Sequence, residues 1–102
     1  MKTLTRAAAL ALFALPISST FASAGPIDSA CMRAGNGANR ATCGCIQQVA
    51  DMTLRGGDQR RAAKFFLNPD QAQETRVSKR DSDNAFWARY KQFGEAAQAY
   101  CG

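Results

Sequence analysis

Asp83-Asn84-Ala85-Phe86-Trp87-Ala88-Arg89-Tyr90-Lys91-Gln92-Phe93-Gly94-Glu95-Ala96-Ala97-Gln98-Ala99-Tyr100-Cys101 carries an apolar seam with the period of an α-helix. Phe86, Tyr90, Phe93, Ala97 and Tyr100 follow one another at spacings of four, three, four and three. On a helix they form one stripe, and such a stripe must be covered. The stretch ends at Cys101, which can tie it covalently to whatever covers it. Ser82 or Asp81 is the expected N-cap, after a charged turn from Ser78.

Upstream, Thr42 to Arg55 reads as an amphipathic helix. Cys45, Ile46, Val49, Met52 and Thr53 share one face, and Gln47, Gln48, Asp51 and Arg55 the other. Asp51 and Arg55 stand in the favourable i,i+4 order. Asn39 or Thr42 can cap it, and Gly56-Gly57 reads as its stop. Asp58 is the expected cap of a helix from Gln59 to Leu67, with Ala62, Phe65 and Phe66 inward and Arg60, Arg61 and Lys64 outward. Asn68-Pro69-Asp70-Gln71 is a helix-start signal. The helix it opens, Asp70 to Val77, is polar nearly all round, with Ala72 and Val77 as its expected anchors. Ile27 to Ala34 fits a short helix with Cys31 on its inner side, broken by the Gly35–Asn39 stretch. No segment shows the alternation of a strand.

Residues 1–24 have the grammar of a signal peptide. Lys2 and Arg6 precede an apolar run from Ala7 to Ile17, and Ala22-Ser23-Ala24 supplies the small-x-small cleavage pattern. Cleavage after Ala24 leaves one domain of 78 residues, 25–102. A domain this size hides only about 60–65% of its unfolded surface and commonly needs staples. No later segment is apolar enough to span a bilayer. Of 13 basic and 8 acidic residues, two basic ones leave with the leader, so the net charge falls from +5 to +3. That mild balance argues against a nucleic-acid binder.

All four cysteines, Cys31, Cys43, Cys45 and Cys101, lie in the mature part. An even count in an exported chain points to two disulfides. Cys43 and Cys45 point ~160° apart on a helix, so each should seek a distant partner. Two pairings remain: 31–43 with 45–101, or 31–45 with 43–101. The first is favoured because Cys45 shares a face with Ile46 and Val49, which should pack on the seam ending at Cys101. Cross-links of these spans contribute ~4 kcal/mol for the one reaching Cys101 and ~3 kcal/mol for the one from Cys31. A metal site is disfavoured, because structural zinc motifs use C-x2–4-C spacing. A redox role for Cys43-Gly44-Cys45 stands against the staple, since a helix start lowers a thiol's pKa.

The chain has no histidine, so neither a Ser/His nor a Cys/His catalytic pair can be built. No phosphate-binding glycine loop is present. The expectation is a protein that is not an enzyme and has no cofactor or metal. Arg60, Arg61 and Lys64 are the basic candidates for contact with an acidic partner, against the plainer reading of a solvated face. Trp87, off the seam's centre, either covers the core edge or serves as an exposed anchor.

The segments Cys43-Gly44-Cys45-Ile46-Gln47-Gln48-Val49-Ala50-Asp51 and Asp58 through Phe66, with Ser82, Phe86-Trp87-x-Arg89-Tyr90 and Tyr100-Cys101, resemble a family of short exported bacterial proteins. Some of its members bear the label "arginine transporter". The resemblance covers most of the mature chain and implies a shared fold, with no functional residues to carry over. A chain without a spanning segment is not itself a transporter.

The sequence therefore predicts an all-α bundle of three to four short helices stapled by two disulfides, located in the periplasm or outside the cell. The expected function is a non-enzymatic binding or accessory role in the envelope, with an envelope protein or small solute as partner. The alternatives are thiol-disulfide exchange through the C-x-C pair and peripheral binding to anionic membrane surfaces.

Overall fold

The computed structural model describes residues 25–35 and 37–102; the signal-peptide reading of residues 1–24 lies outside them. The described residues hold five helices and no strand: α1 (Pro26–Ala34), α2 (Arg40–Thr53), α3 (Gly56–Leu67), α4 (Pro69–Arg76) and α5 (Asp81–Cys101). The count exceeds three to four because both short pieces, α1 and α4, form. α1 lies against α2 and α3, α5 packs on α2, and α4 bridges α3 and α5. None of these helices is long and apolar enough to cross a membrane.

Local chemistry sets most boundaries. Pro26 occupies the first turn of α1, and Gly35 ends it at φ +73°, a left-handed conformation that suits glycine. Asn39 rather than Thr42 caps α2, its Oδ1 accepting from the Thr42 N–H at 2.8 Å. Gly56-Gly57 does not stop α2. That helix ends because Leu54 turns extended (φ −127°, ψ 139°) and buries its side chain, and the two glycines open α3 instead. Asp58 is thus inside α3, not its cap. Asn68 serves both neighbours through its backbone: its N–H bonds Lys64 O and its C=O accepts from Gln71 N. Its side chain caps nothing. Neither Ser82 nor Asp81 caps α5; both are helical, and the N-cap is Arg80.

The core is built of Ile27, Ala30, Val49, Ala50, Leu54, Ala62, Ala63, Phe65, Phe86 and Phe93. Phe65 meets the α5 rings edge-on, at 5.8 Å from Phe86 and 5.1 Å from Tyr90, a favoured aromatic geometry. Three expected inward residues are instead exposed: Met52 (71%), Val77 (72%) and Tyr100 (74%). Val77 lies past the end of α4, where Thr75 is buried in its place. Tyr100 is ~100° round the helix from Cys101, whose bridge fixes the face that the last turn presents to α2.

Cys31 pairs with Cys43 and Cys45 with Cys101, so no cysteine is free. The first bridge joins α1 to α2, and the second joins α2 to the end of α5.

Candidate functional site

Arg60, Arg61 and Lys64 sit on α3 and line one groove, but their pairing differs. Arg61 is drawn inward. Its guanidinium lies 4.4 Å from the Phe86 ring centroid, and its Nη2 donates to Asp83 Oδ1 at 2.7 Å. Thr75 Oγ1 is a longer partner at 3.4 Å. Asp83 also accepts from the Ser78 hydroxyl at 2.7 Å. The Ser78 hydrogen bond, then Arg61, holds the Asp83 carboxyl below the ordinary carboxylate range. Arg61 is therefore committed to docking α5. Arg60 and Lys64, one turn apart, remain exposed.

Those two side chains help line a groove of about 550 Å³ between α3 and α4. Gly57, Arg61 and Phe65 on α3, with Gln71, Glu74 and Thr75 on α4, complete its wall. Arg60 lies back across the helix start, where a Cβ on Gly56 or Gly57 would meet its guanidinium in ordinary contact, at 3.6 and 3.9 Å. The groove thus presents three cations on one wall, Arg61 already paired with Asp83, and Glu74 with an amide on the other.

Trp87 is half-buried at the edge of the core, its ring 5.2 Å from Tyr90 and 6.5 Å from Phe65. Its outer side lines a shallow depression along α5 with Lys91 and Glu95. Arg89, two residues on from Trp87 and so ~200° round the helix, is taken by Asp58 in a two-point pair (Nε–Oδ2 2.6 Å, Nη2–Oδ1 3.1 Å). That hydrogen bond from Arg89 lowers the Asp58 pKa against a smaller opposing effect of burial.

The polar centre of the molecule was not legible as such. Gln47, expected on the solvent face, is 4% exposed. Its Oε1 accepts from the Asp28 N–H at 2.9 Å, and its Nε2 donates to Asp51 Oδ1 and Gln59 Oε1 at 2.9 and 2.8 Å. Gln59 in turn donates to Asp51 Oδ1 and Leu54 O. Gly25 packs directly on this network, where a Cβ would come within 2.3 Å of the Gln47 amide. Asp51 thus serves the network, and among the described residues it makes no ion pair with Arg55. The i,i+4 amide–carboxylate spacing of Gln47 and Asp51 was the available signal. With its donors and acceptors matched, the cluster ties α1, α2 and α3 together and is structural.

Cys43 and Cys45 bond to different partners, so the C-x-C segment does not form an internal pair. No protein-family profile, curated protein sequence or solved structure matches this chain.

Proposed function

We propose that this is an exported, non-enzymatic accessory protein of the cell envelope that binds a small polar solute bearing an anionic group. The reading rests on one observation: Arg60 and Lys64 are exposed on a concave wall that Arg61, paired with Asp83, also lines. Two disulfides suit an oxidising compartment outside the cytoplasm. Glu74 and Gln71 on the facing wall favour a zwitterion over a uniformly anionic bilayer, whose surface would be repelled by Glu74.

The test is an NMR titration with inorganic phosphate, with glutamate, and with phosphatidylglycerol vesicles as separate probes. A soluble probe should shift amides between residues 57 and 75, the shifts should vanish in Arg60→Ala/Lys64→Ala, and the Trp87 indole should stay put. Binding to vesicles alone, fading with salt, would replace this reading with the membrane-surface one. No response to any probe would remove both.

A further inference from the structure

The two disulfides live in different surroundings. Cys31 and Cys43 are 6% and 0% exposed at the contact between α1 and α2, with Cys31 at the edge of a groove of about 400 Å³. Cys45 and Cys101 are both partly exposed, and their bridge ties down the last residue of α5. A groove of about 190 Å³, walled by Thr42, Ile46, Ala97, Gln98 and Gly102, includes Cys101 but not Cys45. Beyond Phe93 the last two turns of α5 rest on Ala96, Ala97 and the bridge itself, so parting these sulfurs disturbs little of the core.

We propose that Cys45–Cys101 is a thiol-exchange site, opened by a dithiol through attack at Cys101, while Cys31–Cys43 stays closed. A thiolate attacks a disulfide through a mixed-disulfide intermediate, and it approaches opposite the departing sulfur. The groove borders Cys101 and not Cys45, so the attack proposed there falls on Cys101 Sγ with Cys45 as leaving group. The new bond joins the incoming sulfur to Cys101. The Cys45–Cys101 bond breaks, its electron pair leaves on Cys45 Sγ, and water supplies the proton. Cys45 Sγ lies 3.7 Å from the Tyr100 carbonyl oxygen, so the new thiol has an acceptor in place. The second thiolate of the dithiol then attacks its own sulfur in the mixed disulfide and expels Cys101 as thiolate. The dithiol ends oxidised to a disulfide by two electrons, and Cys45 and Cys101 end reduced by two. This site is independent of the groove at Arg60 and Lys64.

The test uses the oxidised protein in graded glutathione buffers, where a second glutathione takes the part of the dithiol's second thiol, with acid quench, alkylation and peptide mapping. A species with Cys45 and Cys101 alkylated and Cys31–Cys43 intact should accumulate at a reduced-to-oxidised ratio about tenfold below that needed for the second bridge. The earliest glutathione adduct should map to Cys101. Opening of both bridges together, opening of Cys31–Cys43 first, or an early adduct on Cys45 would each overturn the proposal.

Discussion

The two halves of α5 belong to one helix and one sequence pattern, yet different physics holds each in place. Between Asp81 and Phe93 the helix buries Phe86 and Phe93, lays Trp87 and Tyr90 along the core edge, and is pinned by Arg61–Asp83 and Asp58–Arg89. Between Gly94 and Cys101 the inward positions are alanines and a sulfur. The four-three-four-three spacing says which face turns inward as far as Ala97 and fails at Tyr100, which is exposed. The size of the side chains on that face decides how firmly it is held. Where the seam loses bulk, a covalent bond takes over.

The largest effect should come from removing that bond together with its partner. Closing the two loops, with separations of 56 and 12 residues, is worth about 4 and about 3 kcal/mol. Together they are of the order of the whole stability of a small domain. Full reduction should abolish the helical circular dichroism signal; a fully reduced protein with an unchanged melting curve would show that the rings alone suffice. Next comes the ring-packed half. Phe86→Ala should cost ~3–5 kcal/mol in urea unfolding, whereas Tyr100→Ala, on the same stripe, should stay within about 0.5 kcal/mol. Equal costs would erase the distinction between the halves.

How far the sequence could be read follows from the same contrast. Phe86, Phe93 and Phe65 are large enough that periodicity alone assigns them to the core. The α2 face was harder because α2 is covered on two sides. Hydropathy picked out the stripe of Cys45, Ile46 and Val49, on the side of the α5 bridge. The other stripe, against α1 and α3, runs through Cys43, Gln47, Ala50 and Leu54. A glutamine in a stripe of mostly small residues reads as solvent-facing until its partners on two other helices are known. Arg60 and Arg61 posed a similar problem. They are chain neighbours of identical chemistry, and only the docking of α5 places Phe86 and Asp83 beside one of them.

That difference between adjacent arginines gives a smaller effect. Arg61→Ala removes a carboxylate hydrogen bond and a contact over the Phe86 ring, and should cost about 1–2 kcal/mol. Arg60→Ala should be near neutral in stability. Thermal melts of the two variants under one condition read the difference directly. A comparable loss in both would mean that Arg61 contributes only as solvated charge.

The smallest effect is a pH dependence confined to the first half of α5. Asp83 and Asp58 both have lowered carboxyl pKa values in the fold, held by Ser78 and Arg61 in one case and by Arg89 in the other. A carboxylate whose folded pKa lies below its unfolded value stabilises the fold fully above the unfolded value, about 4. That contribution disappears as pH falls from there through the lowered folded value, because the proton then binds the unfolded chain first. Both pairs join α5 upstream of Gly94, to α3 directly or through the Ser78 turn. Acidification below about pH 4 should therefore speed amide exchange over residues 84–93 relative to neutral pH, after correction for the intrinsic rate. The change should be weaker in Asp83→Asn and weaker again when Asp58→Asn is added. The turns after Gly94 are held by alanine packing and a disulfide, neither of which takes up a proton, so their corrected exchange should move less. A uniform change along the whole helix would mean that α5 opens as one unit and that the contrast between its halves is one of contacts only.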